Sequence, residues 1–231
     1  MIETITGNKI LIKVCGMREA ENIRKMEVLR IDWLGFIFAP QSPRYVEKCP
    51  GRLRKRAKRV GVFMDADTDE IIRRIREFRL DILQLHGSES PEYIARLREE
   101  LSEAAEKAYR SSRISPFIQI MKAISIETEE DLATAELYAQ NAETAPDYFL
   151  FDTKGKLAGG NGTQFDWSVL SHYHGSIPFL LSGGIGPEDA ERVKVFYHPQ
   201  CIGIDLNSRF EIAPALKDVT LIRRFMGEIK T

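Results

Sequence analysis

The stretch Lys9–Gly16, KILIKVCG, constrains the fold more than any other part of this sequence. Successive side chains of an extended chain alternate between two faces. Here one face carries Ile10, Ile12 and Val14, and the other carries Leu11, Lys13 and Cys15. Two largely apolar faces are typical of a strand buried on both sides, as in a parallel sheet covered by helices. A lysine and a cysteine on one inward face, at the C-terminal end of the strand, are unusual for packing alone.

Eight short apolar runs recur along the chain, and each has the length of a strand. They are Ile10–Cys15, Asp32–Phe38, Val60–Met64, Leu80–Leu85, Phe117–Ile124, Asp147–Asp152, Ile177–Leu181 and Cys201–Leu206. Segments with helical periodicity lie between most of them: Glu19–Leu29, Thr68–Phe78, Pro91–Ala108, Thr128–Ala139, Pro187–Val195 and, after the last run, Pro214–Met226. This alternation predicts right-handed βαβ units and a parallel sheet. Because such barrels take roughly 250 residues, we predict an α/β protein with one (β/α)8 TIM-barrel domain over residues 1–231.

The composition is that of a globular protein with a large core and no strong charge bias. Hydrophobic residues make up 43% of the chain, and 33 Lys and Arg nearly balance 34 Asp and Glu. No overall field therefore favours nucleic acid or an anionic membrane. Three cysteines are too few for a disulfide framework, and we recognise no secretion signal or membrane-spanning run. We expect a cytoplasmic protein, with the basic cluster Arg52–Arg59 at the solvated C-terminal end of a helix.

The C-terminal strand ends are where a barrel of this kind carries its chemistry. Ser182–Ile185 (SGGI) follows the seventh run and Asp205–Ser208 (DLNS) completes the eighth, which is the usual position of a phosphate site in this fold. Glycines let backbone amides approach phosphate oxygens. The alternative is that Gly183 and Gly184 only make a tight turn.

Four further strand-end residues are candidates for catalysis or binding. Cys15 and Asp152 end the first and sixth runs and could act as base and acid on two sides of one substrate. Arg44 carries a planar fork suited to a carboxylate, and His86 could line the site. Three of them also have an ordinary explanation: an apolar filler for the cysteine, an exposed side chain for the arginine, and a hydrogen-bonded structural residue for the histidine.

The segment Lys154–Thr163, KGKLAGGNGT, is rich in glycine and longer than a tight connection needs. Such a loop could close over a ligand, or it could be a plain surface loop. It lacks the spacing of a nucleotide-binding P-loop.

Several separated motifs, in one order, resemble the phosphoribosylanthranilate isomerase family nearly end to end. They are KVCG (Lys13–Gly16), GFIF with SPRYV (Gly35–Val46), VGVF around Gly61, LQLHG (Leu83–Gly87), FDTK with GGNGTQFDW (Phe151–Trp167), LSGGI (Leu181–Ile185) and GIDLNSRFE (Gly203–Glu211). The resemblance implies an isomerase of tryptophan biosynthesis that performs an Amadori rearrangement without cofactor or metal. Its partner would be a small phosphorylated substrate, with the chain a monomer or homodimer and neither nucleic acid nor membrane involved.

The resemblance also assigns roles by matching motif. Cys15 would be the general base, Asp152 the general acid, and Arg44 the ligand of the anthranilate carboxylate. The two turns would hold the phosphate, and the strand-end candidates complete the substrate-binding set: His86, Gly183, Gly184, Asp205, Asn207 and Ser208. Arg209 and Phe210 depart from the small and aliphatic residues common in the family.

Lys13 needs a partner if it lies inside a barrel. The first and eighth strands are neighbours once the barrel closes, so we predict that Lys13 pairs with Asp205. The same lysine would then lower the pKa of Cys15, two residues further on.

Three other interpretations stay open at this point. An indole-glycerol-phosphate synthase would need catalytic lysines at several strand ends and an N-terminal extension. A metal-dependent pentose-phosphate epimerase would need His and Asp ligands at successive strand ends. A barrel that binds a phosphorylated ligand without turnover would need neither Cys15 nor Asp152.

Overall fold

Eight parallel strands form the frame of the molecule in the computed structural model, which describes residues 2–3, 9–51, 56–108, 118–154 and 164–230. In chain order they are β1 (Lys9–Val14), β2 (Trp33–Ile37), β3 (Lys58–Phe63), β4 (Ile82–Leu85), β5 (Gln119–Ile126), β6 (Tyr148–Thr153), β7 (Phe179–Leu181) and β8 (Cys201–Leu206). Each strand pairs with the next, and β8 pairs with β1 to close the sheet. The predicted barrel is confirmed. Its extent as one domain over residues 1–231 stays a prediction.

Alternation along the strands produces two apolar layers. Outward side chains pack beneath the helices, among them Ile10, Ile12 and Val14 of β1. Inward side chains fill the barrel: Leu11, Trp33, Val60, Ile82, Met121, Ala123, Leu150 and Leu180. Each fully buried aliphatic side chain stabilises the fold by roughly 1.5–3 kcal/mol. Both faces of β1 are therefore buried, as its sequence predicts.

Six α-helices lie in the described part of the chain. They are α1 (Ala20–Val28), α2 (Thr68–Phe78), α3 (Pro91–Ala108), α4 (Ala133–Ala139), α5 (Ala190–Val195) and α6 (Val219–Glu228). Helices α2 and α3 have the predicted bounds. Short 3₁₀ turns, Glu129–Leu132 and Pro187–Asp189, begin the segments predicted as the fourth and fifth helices, and a further one, Trp167–His172, follows β6.

The basic cluster Arg52–Arg59 does not end a helix where the structure describes it, so that prediction is wrong for its last two residues. Lys58 and Arg59 open β3 instead. Arg59 is buried, and its Nη1 donates to the carbonyl oxygen of Phe78, 2.7 Å away, at the C-terminus of α2. The cation therefore does complement a helix C-terminus, but that of a neighbouring helix.

The last predicted helix, Pro214–Met226, begins too early. An antiparallel hairpin of Glu211–Ala213 and Leu216–Lys217 precedes it, with Ala215 at a φ of 69° in the turn. Helix α6 begins after Asp218, whose carboxylate accepts from the amides of the helix's second and third residues at 2.9 Å. An aspartate that caps two amides is a stronger start than the proline four residues earlier.

Other parts of the chain refine this outline. The two-residue strand Ile2–Glu3 pairs antiparallel with the start of β1. The predicted run Phe117–Ile124 is strand from Gln119 to Ile126. The loop Lys154–Thr163 lies outside the described residues beyond Lys154, so its closing role stays a prediction. Among the described helices, none has the length and apolar character needed to cross a membrane.

We predict that Gly203→Ala destabilises the barrel at its closure. A Cβ at this position of β8 would overlap the carbonyl oxygen of Leu11 in β1 and lie 2.8 Å from its Cβ. Overpacking of this kind costs about 1–3 kcal/mol. Denaturant unfolding, with the midpoint and slope fitted together, measures the loss.

Gly227→Ala is the matched control, because a Cβ there would meet nothing within 4 Å. Since Gly227 lies inside α6, alanine should stabilise that helix by about 0.5–1 kcal/mol. Equal free energies of unfolding for the two variants would contradict the account of the closure.

Candidate active site

A cavity of about 400 Å³ lies at the C-terminal ends of the strands. Its wall brings together residues that are far apart in the sequence. Those predicted from sequence and found on it are Cys15, Arg44, His86, Asp152, Gly184, Asp205, Asn207 and Ser208. Gly183 belongs to the turn after β7 beside this wall. Every candidate therefore gathers at one end of the barrel, although the position of a residue does not by itself test its role.

Cys15 directly follows β1 and is held by both neighbouring strands. Its amide donates to the carbonyl oxygen of Leu206 in β8 at 2.9 Å. On the other side, a Cβ added to Gly35 of β2 would lie only 2.7 Å from the Cys15 Sγ. The thiol thus packs against the backbone of Gly35, which has no side chain, and a side chain at this position would displace it.

The predicted pair of Lys13 and Asp205 is confirmed. The two residues are register partners across β1 and β8, and Lys13 Nζ lies 2.8 Å from Asp205 Oδ2. Lys13 is fully buried. Burial disfavours its charge, but Asp205 and Cys15 outweigh this and raise the pKa of Lys13. Asp205 lines the cavity, and its buried Oδ1 has no hydrogen-bond partner among the described residues.

The electrostatics of Cys15 are set first by burial. Burial raises the pKa of this thiol above its ordinary value. Lys13 lowers it, Asp205 raises it, and Lys217 lowers it, but these charges do not reverse the effect of burial. The predicted influence of Lys13 therefore has the expected sign, while the group at neutral pH is a thiol that must lose its proton to act as a base.

Asp152 lies in β6 and is oriented from two sides. Its Oδ1 accepts from the Thr153 amide at 2.9 Å, and its Oδ2 lies 3.4 Å from Nε2 of His86. The Gln84 amide nitrogen lies 3.1 Å from Nδ1 of the same imidazole. With this N–H donating to Nδ1, the neutral ring carries its proton on Nε2, facing Asp152. His86 is thus tied to the candidate acid.

Arg44 is held in the loop after β2 by a carboxylate of the chain itself. Its Nε and Nη2 donate to Glu211 at 2.7–3.0 Å. The Arg44 side chain is only 11% exposed, so the alternative of an exposed surface arginine is wrong. A guanidinium has five N–H donors, and the bonds to Glu211 leave some of them for a ligand in the cavity.

The two predicted phosphate turns lie side by side, because β7 and β8 are paired. Gly183 and Gly184 have φ values of 89° and 69°, a conformation that favours glycine. A Cβ on Gly183 would also lie 2.7 Å from the Thr153 amide nitrogen. Ser208–Phe210 forms a 3₁₀ turn after β8. The turn is therefore tight and requires glycine at position 183, while phosphate binding by its amides stays a prediction.

The two residues that depart from the family pattern, Arg209 and Phe210, each contact another residue of the chain. Arg209 lines the cavity and pairs with Glu188 on the exposed rim. Phe210 is buried, with its ring centroid 5.0 Å from that of Phe225 in α6. Within the described residues, no group of three or more His, Cys, Asp or Glu side chains is placed to hold a metal ion.

Sequence reasoning gave no role to two residues that support this site, Glu211 and Lys217. Glu211 ends the quoted motif GIDLNSRFE, but the hairpin that pairs it with Lys217 was not predicted. Gln84 lies at a predicted strand end inside the quoted motif LQLHG, and the structure adds its contact with His86.

The titration of Cys15 should show both burial and the charge of Lys13. In a Cys49→Ser, Cys201→Ser background, alkylation by iodoacetamide should still accelerate at about pH 9, where an ordinary thiol of pKa about 8.5 is mostly ionised. Lys13→Met should move the profile to higher pH, because the variant lacks the cation that lowers the pKa of the Cys15 thiol most. The rate of alkylation across pH, followed by mass spectrometry, measures both.

Lys25→Met is the control, since Lys25 is exposed and paired with Glu21 on α1. A Lys13→Met profile that matches this control would rule out tuning by Lys13. An inflection below about pH 8 in the parent protein would contradict the dominance of burial.

Comparison with known proteins places this chain in one family. The family model described as N-(5'-phosphoribosyl)anthranilate (PRA) isomerase matches residues 12–228. A curated relative from Parabacteroides distasonis, named N-(5'-phosphoribosyl)anthranilate isomerase, is 43% identical over 226 residues, which cover 95% of this chain and 93% of the relative.

Two solved structures share the fold over nearly their whole length. Phosphoribosyl anthranilate isomerase from Thermus thermophilus is 27% identical, with a TM-score of 0.73 over 95% of this chain and 98% of that one. A second such isomerase was solved in complex with reduced 1-(o-carboxyphenylamino)-1-deoxyribulose 5-phosphate. It is 25% identical, with a TM-score of 0.72 over 96% of this chain and 98% of that one.

Proposed function

Because the chain belongs to the N-(5'-phosphoribosyl)anthranilate isomerase family, we propose that it converts N-(5'-phosphoribosyl)anthranilate to 1-(2-carboxyphenylamino)-1-deoxyribulose 5-phosphate. One observation carries the proposal within this chain. Cys15, which follows strand β1, and Asp152, in strand β6, line one cavity together with Arg44 and residues of the turns after β7 and β8. That arrangement offers a base, an acid and an anchor for each end of a substrate that carries a carboxylate and a phosphate.

Binding at both ends fixes the ribose between the catalytic groups. Arg44 holds the anthranilate carboxylate through the donors that Glu211 does not use. The amides of the turns at Gly183–Gly184 and Asn207–Ser208 bind the phosphate. Asp205 Oδ1, without a partner among the described residues, accepts from a sugar hydroxyl.

The first chemical step opens the sugar ring. Protonated Asp152 gives its proton to the furanose ring oxygen while the nitrogen lone pair forms a C1=N bond and the C1–O bond breaks. The product is an open-chain Schiff base with a positive charge on nitrogen. His86 Nε2, 3.4 Å from Asp152 Oδ2, stabilises the carboxylate that this step leaves behind.

The second step moves a proton from C2. The Cys15 thiolate removes it, and the electron pair of the C2–H bond forms C1=C2 as the C1=N electrons return to nitrogen. The resulting enolamine takes a proton at C1 and loses one from the C2 hydroxyl, which gives the ketone. Lys13 favours the thiolate that this step requires.

We predict that Cys15→Ala and Asp152→Asn each lower kcat by about 10²–10⁴-fold, the usual worth of a positioned proton-transfer group. Both substitutions remove the reactive group with little change in side-chain volume. Substrate generated in situ and consumed with a change of anthranilate fluorescence reports turnover, and circular dichroism checks the fold.

Cys201→Ala and Asp69→Asn are the matched controls. Cys201 begins β8 at the opposite end of the strand from Asp205, and Asp69 is exposed on α2. Turnover in either catalytic variant within a few-fold of these controls would overturn its assigned role.

A further inference from the structure

The hairpin after β8 carries a charged pair that the mechanism above does not use. Glu211 and Lys217 are register partners in its two short strands. Both side chains are almost fully buried, Lys217 at 0% and Glu211 at 5% exposure. A lysine is rarely buried so completely unless it is paired. Its position behind the cavity wall therefore calls for a physical reason.

Lys217 is held at both ends. Its backbone amide and carbonyl bond to the side chain of Asn22 in α1, each at 2.9 Å. Its Nζ donates to Glu211 Oε1 at 2.6 Å and to Asn207 Oδ1 at 2.7 Å. Asn207 belongs to the proposed phosphate turn, and Glu211 holds Arg44. One ammonium group thus connects the two proposed anchors of the substrate.

The same group lies beside the catalytic cysteine's neighbour. Gly16 has a φ of 74°, and a Cβ added there would lie 2.7 Å from Arg44 Cδ, 3.0 Å from Asn207 Oδ1 and 3.4 Å from Lys217 Nζ. The arginine, the asparagine and the lysine therefore converge on the residue that follows Cys15. Only a glycine leaves them room to do so.

The formal charges of Arg44, Glu211 and Lys217 show how Lys217 changes the net charge beside the proposed carboxylate anchor. Arg44 and Glu211 alone form a neutral pair, which attracts a carboxylate weakly. With Lys217 the group of three is net positive, in a low-dielectric setting where a charge acts strongly. Burial raises the pKa of Glu211, but Arg44 and Lys217 outweigh it and lower that pKa, so the carboxylate is ionised. Burial lowers the pKa of Lys217 below its ordinary value, and Glu211 and Cys15 offset this only in part.

We infer that Lys217 is a positioning residue for the isomerisation: it neutralises Glu211 so that Arg44 attracts the substrate carboxylate, and it holds Asn207 in the phosphate turn beside Gly16, the residue that follows Cys15. This inference rests on the proposed function. Among the described residues, Lys13 from β1 and Asp205 from β8 are the other charged groups with the largest effects on the pKa of Cys15, so Lys217 is the second cation that acts on the thiol.

Lys217→Met tests the inference. We expect KM to rise at least about tenfold, kcat to fall, and the alkylation profile of Cys15 to move to higher pH. Lys217→Gln, which keeps a donor for Asn207 without the charge, should show the same thiol shift and provides the test if the methionine variant does not fold. Lys194→Met is the matched control, because Lys194 is also buried and bonds to Glu191 at 2.6 Å, away from the cavity.

The double variant Lys217→Met, Glu211→Gln separates charge balance from structure. It removes one cation and one anion, so the charge of Arg44 is no longer opposed by Glu211. The KM of the double variant should therefore lie between that of the parent and that of Lys217→Met. A double variant whose KM is no better than that of the single variant would overturn the charge-balance role.

Failure of the inference and failure of the proposed function are distinguishable. An inactive parent protein would overturn the function. An active parent with a Lys217→Met variant that matches Lys194→Met in KM, kcat and thiol titration would overturn the inference alone.

Discussion

The ion pair of Lys13 and Asp205 is the interaction on which this molecule depends most. It spans the two strands that close the barrel, with the lysine fully buried. Breaking such a pair by removing one partner costs about 3–5 kcal/mol, because it leaves a buried charge uncompensated. The pair also lies two residues from Cys15, so the charge that closes the barrel is the same charge that favours the proposed base.

A second group of buried charges, Glu211 and Lys217, lies behind the cavity wall. Glu211 orients Arg44, and Lys217 neutralises Glu211 while it holds Asn207. Arg44 and Asn207 in the cavity wall are thus held by two buried partners, Glu211 and Lys217, that do not themselves line the cavity. Such fixed groups need little reorganisation when charge develops in a reaction, which is the main source of electrostatic catalysis.

The sequence predicts most of what depends on alternation and closure. Opposite faces of β1, the barrel, and the Lys13–Asp205 pair all follow from strand periodicity and from β1 and β8 being neighbours. Contacts that depend on an unpredicted turn do not follow. The hairpin before α6 looked helical, so Lys217 was assigned to the wrong element, and Arg59 was assigned to a helix because its neighbours in sequence are basic.

The most direct test of the proposed site is a crystal structure with reduced 1-(o-carboxyphenylamino)-1-deoxyribulose 5-phosphate bound. We predict its carboxylate on Arg44, its phosphate between the turns after β7 and β8, and its C2 about 3–3.5 Å from Cys15 Sγ, the separation typical of reacting atoms. Asp152 should face the oxygen on C4 from the other side. A ligand with its phosphate outside these turns, or with C2 beyond reach of the thiol, would contradict the assignment of base, acid and anchors.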